Sequence, residues 1–150
     1  MPEQDKQALA VDNFKRGYNC CQAVLCAFCD EIGMEEETAR RLASSFGGGM
    51  GRLREVCGAV SAMFMIAGFK FGYSDITDKN AKADHYKLIQ KLASEFKQKN
   101  ESIICRELLN TEGRDTSYVP SERNEAYYKK RPCSEMVRSA AEIVDKLLKE

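Results

Sequence analysis

The chain has 150 residues, of which 43% are hydrophobic and 31% are charged, a composition typical of one globular domain with its own core. Its 23 basic and 23 acidic side chains give a formal net charge of zero, which disfavours nucleic acid as a partner. No run approaches the roughly 18 apolar residues that a membrane span needs, so membrane insertion is not expected. The N-terminus lacks a basic segment followed by an apolar one, so we predict no signal peptide and expect a cytoplasmic protein.

Helical periodicity dominates the first half of the chain. Apolar residues recur about every 3.6 positions, and glycines interrupt the pattern. After Val56 the pattern becomes apolar on nearly every side, so we expect that helix at the centre of the fold. The helices predicted in this half cover residues 4–16, 20–32, 35–46 and about 52–71.

The second half is also predicted to be helical, apart from one long loop. A helix with one charged face covers about 79–99, and a short helix over 103–109 ends near Gly113. The polar stretch 113–130 is predicted to be the longest loop, and Pro132 then opens an amphipathic last helix. No strand-length alternating segment competes. We therefore predict an all-α bundle of about six or seven helices in a single domain, residues 1–150.

The seven cysteines are unusual for a cytoplasmic chain, where structural disulfides are rare. Three follow a helix-start signal, because Cys20 comes after Asn19, Cys133 after Pro132, and Cys105 three residues after a serine. In the first turn of a helix, unpaired N–H groups and the dipole lower a thiol pKa below its free value of about 8.5. The pattern therefore predicts thiolates, which attack disulfides and bind soft metals.

A fourth cysteine in a position that favours the thiolate, Cys57, follows a glycine-rich stretch at 47–51. One interpretation is a tight loop that lets the backbone approach Cys57. The other is an anion site at a helix N-terminus, with Arg52 and Arg54 just after the glycines. The stretch lacks the Lys-Ser/Thr ending of a phosphate loop and the strand that should precede it. The residues that would contact the anion are Gly47, Gly48 and Gly49.

The other three cysteines have less distinctive positions. Cys26 and Cys29 form the one C-x-x-C of the chain, but it lies inside a predicted helix, so we expect both as packing residues. Cys21 stands beside Cys20 and could act as a resolving thiol. Adjacent helical side chains point about 100° apart, so a direct bond between these two would be strained.

Two basic features lie near the cysteines in sequence. Arg106 directly follows Cys105, where a cation would favour the thiolate; the alternative is a surface ion pair with a nearby glutamate. The basic residues at 129–131 precede the last helix and are expected to form a solvated cluster.

Five segments of the chain resemble, in order, the blocks of the C_GCAxxG_C_C family. This family comprises bacterial and archaeal proteins described as redox-active, with four hallmark cysteines and a C-G-A-x-x-G element. The last glycine of that element is Ala62 here, which suits a helix interior and leaves slightly less room for a neighbour. The matching segments are 17–24, 46–50, 57–59, 102–109 and 131–133, within about 17–148. By this resemblance the hallmark cysteines are Cys20, Cys57, Cys105 and Cys133.

The resemblance implies redox chemistry without naming a substrate. A related region of the split-Soret cytochrome is associated with an iron–sulfur centre, and many family members occur near transporter genes. It therefore implies a redox partner of unknown identity that is linked to a membrane transporter, and a homodimer is one possible assembly. The chain contains no C-x-x-C-H, so covalent c-type haem is not expected.

Three hypotheses for function remain open. In the first, the four hallmark cysteines hold an iron–sulfur cluster, or less readily zinc, for electron transfer or sensing. In the second, they act without metal in thiol–disulfide exchange, with Cys20 or Cys133 attacking. In the third, the chain is a helical partner-binding protein with buried thiols. The spacing of the four cysteines neither supports nor excludes one shared metal site.

Overall fold

The computed structural model describes residues 5–110 and 114–150, and within them the protein is all-α. The described residues form nine α-helices, six of them eight residues or longer, and one 3-10 helix. They contain no strand, although one isolated antiparallel bridge joins Val56 to Ile104. The predicted fold class is therefore confirmed. No helix of the described part combines the length and the apolar character that crossing a bilayer requires.

The helices have the following bounds in chain order. They are α1 (Lys6–Lys15), α2 (Cys20–Ala27), α3 (Cys29–Ile32), α4 (Glu36–Ala43), the 3-10 helix Ser44–Phe46, α5 (Gly58–Phe71), α6 (Lys79–Asn100), α7 (Cys105–Leu108), α8 (Glu125–Lys130) and α9 (Cys133–Lys149).

Helices α6, α9 and α1 lie close to their predicted bounds. Helix α6 begins after Asp78, whose carboxylate accepts a hydrogen bond from the Ala81 N–H, and it ends one residue beyond the predicted 79–99. Helix α9 begins one residue after Pro132. Helix α1 lies within the predicted 4–16, of which residue 4 lies outside the described part.

The helix predicted over 52–71 is wrong at its N-terminal end, because α5 begins only at Gly58. The backbone φ is 68° at Met50, 66° at Arg52 and 63° at Arg54. These angles are left-handed, whereas a right-handed helix needs a negative φ at every residue. The glycine-rich stretch therefore continues as a loop up to the start of α5.

The helix predicted over 20–32 is divided into α2 and α3. The division falls at Phe28, which has a φ of −110°. The Phe28 N–H donates to the Leu25 carbonyl, three residues back rather than four. The side chain of Phe28 is fully buried, so the break in the backbone lies inside the core.

The stretch 113–130 is not a loop throughout, because α8 occupies its C-terminal end. Asn124 caps this helix, since its side-chain oxygen accepts a hydrogen bond from the Tyr127 N–H at 3.0 Å. An Asn at this position is a helix-start signal. The sequence did not predict α8, however, because the polar run after Asn124 lacks an apolar stripe. Gly113, the predicted end of the preceding helix, lies outside the described residues.

Two shorter helices are trimmed relative to prediction. The segment predicted as one helix over 35–46 is α-helical only to Ala43 and then tightens to a 3-10 turn that ends at Phe46. The segment predicted over 103–109 has α-helical bonding only over Cys105–Leu108. Such tightening is common at helix ends.

Helix α5 is the centre of the fold, as its apolar sequence predicts. It packs against α2, α6 and α9, while α1 covers α2 and α9. Ala62, which stands where the resembled family has glycine, is fully buried. Small residues let the neighbouring helices approach α5 closely, and burial of its apolar side chains stabilises the core by roughly 1.5–3 kcal/mol for each large one. The buried residues of α5 are Gly58, Ala59, Val60, Ser61, Ala62, Met63, Ile66 and Ala67.

Candidate functional site

Four of the seven cysteines line one cavity of about 50 Å³. A single water needs about 10–15 Å³, so the cavity has room for a few water molecules. The four residues come from four separate helix starts: three are the first residues of α2, α7 and α9, and the fourth is the N-cap of α5. We call them the cavity cysteines, and they are Cys20, Cys57, Cys105 and Cys133.

Two of the cavity cysteines are held together by backbone hydrogen bonds. The Cys57 N–H donates to the Ile103 carbonyl at 2.8 Å, and the Cys105 N–H donates to the Glu55 carbonyl at 2.6 Å. These bonds lie on either side of the Val56 bridge. They fix the start of α5 against the start of α7, although the two cysteines are distant in sequence.

Glycines let the backbone approach the cavity cysteines closely. At Gly49, which has a φ of 72°, an added Cβ would lie 2.6 Å from the Cys105 Cβ. At Gly58 it would lie 2.8 Å from the Phe46 carbonyl oxygen and 3.2 Å from the Cys20 Cβ. The contacts at 2.6 and 2.8 Å are closer than real Cβ atoms come to other atoms, so a side chain at either glycine would force its neighbours to shift. The stretch before Cys57 is therefore a tight loop, but the residue that Gly49 approaches closely is Cys105 rather than Cys57.

The start of α2 is fixed by a capping box. The Asn19 side-chain oxygen accepts from the Gln22 N–H at 2.8 Å, and the Gln22 side chain accepts from the Asn19 N–H at 3.0 Å. The Asn19 amide also donates to the Ser44 carbonyl at 3.3 Å. An added Cβ at Gly47 would lie 2.7 Å from the Asn19 Cβ. Cys20 is thus held in place by the residue that precedes it.

The predicted lowering of thiol pKa is wrong for three of the four. Burial raises the pKa of Cys57 to about 12. Burial also raises the pKa of Cys105, although a hydrogen bond from Arg54 opposes the rise. The pKa of Cys20 is raised well above its ordinary value by its hydrogen bond with Cys133 and by burial. A helix N-terminus favours a charge by about 1 kcal/mol, whereas full burial moves a pKa by up to several units.

Cys133 has a lowered pKa, as the helix-start signal predicts for it. The main cause is the hydrogen bond with Cys20, and the positive charges of Arg131, Arg123 and Arg54 add to it. In the resulting pair the Cys20 thiol donates to the Cys133 thiolate. The cavity therefore holds one thiol with a lowered pKa beside three thiols with raised pKa values.

Arg54 is the cation that contacts the Cys105 sulfur. Its side chain is 1% exposed, Nη1 donates to the Cys105 sulfur at 3.8 Å and Nε donates to the Asp115 carbonyl at 2.8 Å. Arg106, the candidate from sequence, instead forms an ion pair with Glu55 at 3.1 Å, which is the alternative that sequence left open. The sequence places Arg54 three residues before Cys57, but nothing in that spacing indicates burial.

Two further arginines line the cysteine cavity and were missed as site residues. Arg131, expected in a solvated cluster, is half-buried, donates to the Ser121 hydroxyl at 3.2 Å and stacks on Tyr127, 4.7 Å from the ring centre. Arg123 donates to the carbonyls of Phe14 and Tyr18 at 2.6 and 3.0 Å. Arg123 lies in the stretch predicted as a loop and Arg131 directly follows it, so helical periodicity gave no sign of either as a site residue.

The other cysteines lie away from the cavity. The Cys21 sulfur contacts the Met65 sulfur at 3.8 Å, and Cys29 donates to the Leu25 carbonyl at 3.7 Å. Burial raises the pKa of Cys26 to about 12. Cys26 and Cys29 pack against the core, as expected for a C-x-x-C that lies away from a helix N-terminus.

The cavity cysteines provide a donor set made only of sulfur. In the described residues, no three His, Cys, Asp or Glu side chains are arranged to hold one metal ion. That observation weighs against a ready-made zinc site, because zinc draws its ligands around one ion. An iron–sulfur cluster distributes its cysteine ligands over several iron atoms, and the cavity cysteines are donors of the kind that such a cluster uses.

The structure defines an all-α protein in which four helix starts bring four cysteines to one cavity beside buried arginine. Residues 18–147 match the model of the family described as "Putative redox-active protein (C_GCAxxG_C_C)". The chain belongs to this family, as the sequence resemblance indicates. It matches no curated protein and no solved structure.

Proposed function

We propose that this redox-family protein uses its cavity cysteines to hold an iron–sulfur cluster for electron transfer or sensing. The observation that supports this most strongly is the convergence of four cysteines, each from a different helix start, on one cavity. Core packing alone explains buried thiols, but it gives no reason for four of seven to share a cavity. The cluster would supply one-electron chemistry, and the four sulfurs would be its ligands.

The surroundings of the sulfurs suit a negatively charged centre. Arg54 donates to the Cys105 sulfur, and hydrogen bonds to ligand sulfurs raise the reduction potential of a cluster. Three of the four thiols have raised pKa values. Loading must therefore displace their protons, so metal binding weakens as the pH falls.

The test is anaerobic purification followed by iron and sulfide analysis and a visible spectrum. The proposal predicts a brown protein with iron and acid-labile sulfide in similar amounts, both bound to the folded chain. A colourless protein that takes up neither after anaerobic reconstitution with iron and sulfide would overturn it.

Thiol–disulfide exchange is the second candidate, and the Cys20–Cys133 pair favours it. The Cys133 thiolate would attack a disulfide of an oxidised partner, form a mixed disulfide and release one partner thiolate, which takes up a proton. Cys20, losing its proton, would then attack the Cys133 sulfur. The products are a Cys20–Cys133 disulfide and a partner dithiol, so two electrons pass to the partner.

Mild oxidation of the metal-free protein separates this candidate from the first. Exchange predicts that the free-thiol count falls by two, with mass spectrometry locating the new bond between Cys20 and Cys133. Replacement of Cys133 by serine should prevent that bond, whereas replacement of Cys29 should leave it unchanged. A protein that neither binds iron nor loses thiols would fit the third alternative, a partner-binding protein with buried thiols.

A further inference from the structure

A second cavity, of about 300 Å³, adjoins the cysteine cavity. This volume lies at the lower end of the range for small-molecule sites. Four arginines line it, and its lining among the described residues includes no Asp or Glu. We call it the arginine cavity, defined by Arg52, Arg54, Arg123 and Arg131.

The hydrogen bonds of Arg52 and Arg123 leave much of the charge of these two side chains uncancelled. Arg52 donates to the Ser117 and Val119 carbonyls, and Arg123 also donates to backbone carbonyls. A carbonyl satisfies a donor but carries no net charge. Asp115, which pairs with Arg52 at 3.3 Å, is a carboxylate with 52% of its side chain exposed. The cavity is therefore positively charged.

Arg54 provides the independent sign that a ligand belongs here. Its side chain is 1% exposed and lines both cavities. Its Nη2 atom is buried and has no hydrogen-bond partner within the described part of the chain. Leaving a donor of a buried guanidinium unsatisfied is costly, and an anionic oxygen at Nη2 would remove that cost.

We propose that the arginine cavity binds a small molecule through an anionic oxygen group, a carboxylate or a phosphate. A guanidinium presents its N–H groups as a planar fork that matches both groups. The ligand would lie directly beside the cavity cysteines, since the two linings share Asn19, Gly48, Arg54, Arg123, Tyr127 and Arg131. The role of the bound anion rests on the proposed redox function. Whether the anion binds at all is measured independently of that function.

The test is calorimetric titration of the anaerobically purified protein in Tris chloride at constant ionic strength. Inorganic phosphate and succinate are titrated separately, so that the two arms distinguish phosphate from carboxylate. We expect saturable one-site binding of at least one of them, and saturable binding of either supports the proposal. The absence of saturable binding for both would overturn it, whatever the iron content of the protein.

The variant R54Q should weaken this binding at least tenfold. The matched control is R41Q, because Arg41 is exposed on α4 and lines neither cavity, so it removes the same charge elsewhere. Equal weakening in both variants, or unchanged binding in R54Q, would overturn the proposal. If R54Q does not fold, the wild-type protein still decides the question.

The melting temperature of the wild-type protein provides that second test. The anion that binds should raise the Tm of the wild-type protein above its value in chloride at equal ionic strength. An unchanged Tm with both anions contradicts the proposal.

Discussion

Cys57 and Cys133 both stand at the start of a long helix, yet their pKa values move in opposite directions. The helix dipole acts on both, so it cannot explain the difference. Cys133 has a hydrogen bond from Cys20 and nearby arginines, whereas burial dominates at Cys57. A helix-start signal in the sequence therefore shows where a sulfur lies, while its ionisation depends on residues distant in the chain.

This difference predicts which thiol reacts first in the reduced, metal-free protein. Iodoacetamide should modify Cys133 before the other cavity cysteines, because its pKa is lowered and theirs are raised. Replacement of Cys20 by alanine should slow that reaction near neutral pH, since it removes the hydrogen bond that is the main cause of the lowered pKa. Alkylation rates against pH, resolved by mass spectrometry, provide the measurement. Faster modification of Cys57 than of Cys133 would contradict the assignment.

The raised pKa of Cys57 predicts a loss of stability in alkali. In the unfolded chain this thiol ionises near about 8.5, whereas in the folded protein it stays protonated up to about 12. Its contribution is complete below pH ~8.5 and is lost as the pH rises from there towards 12, by up to about 1.4 kcal/mol per pH unit. Urea unfolding of metal-free protein between pH 8 and 10 measures this.

Two serine variants isolate the effect of Cys57. The variant C57S should show a shallower decline in the free energy of unfolding above pH 8.5, by about one proton. The variant C133S should not show this shallower decline, since the pKa of Cys133 is lowered rather than raised in the folded protein. Identical slopes in wild type and C57S would contradict the raised pKa.

Glycine 49 provides a test of backbone packing at the site. Gly49 and Gly33 both have left-handed φ angles, 72° and 76°, but only Gly49 faces another residue within 4 Å. Alanine at Gly33 should cost about 1–2 kcal/mol from the backbone angle alone. Alanine at Gly49 should cost about 1–3 kcal/mol more, because its Cβ meets the Cys105 Cβ. Urea unfolding measures both, and equal losses would contradict the close approach.

At the scale of elements, helix-capping residues and apolar stripes in the sequence predict most of the helices. They do not predict the loop before α5. Helix α6 has both an Asp cap and an apolar stripe, so its bounds could be read from the sequence. The left-handed φ angles of Met50, Arg52 and Arg54 could not, because non-glycine residues rarely adopt them. The loop is held by long-range bonds such as Arg106 N–H to the Arg54 carbonyl at 3.2 Å.

A comparison of two helix-cap variants distinguishes the loss of a cap, which lowers stability, from a change in the position of the cavity cysteines. Replacement of Asn19 or Asp78 by alanine removes one cap each, at a cost of about 1 kcal/mol. Only Asn19 precedes a cavity cysteine and donates to the Ser44 carbonyl. The variant N19A should therefore also change the alkylation rate of Cys20 or the iron content, whereas D78A should change neither. Equal effects of the two variants on these readouts would show that the cap does not position the site.

For the whole molecule, sequence indicated the four cysteines but not their surroundings. The family resemblance and the helix-start signals selected the same four residues, because both depend on short segments. Arg54, Arg123 and Arg131 were not assigned to the cysteine cavity, since contacts between segments distant in the chain bring them there. Burial of a charged side chain such as Arg54 depends on this packing and leaves no local pattern.

The central claim is that four cysteine sulfurs serve one centre. Its most direct test is to measure iron and acid-labile sulfide in seven single Cys→Ser variants, all purified without oxygen. If four sulfurs serve one centre, serine at Cys20, Cys57, Cys105 or Cys133 should remove most of the iron and the brown colour. Serine at Cys21, Cys26 or Cys29 should leave both near the wild-type level. Loss confined to the Cys26 and Cys29 variants, or spread evenly over all seven, would contradict the shared site.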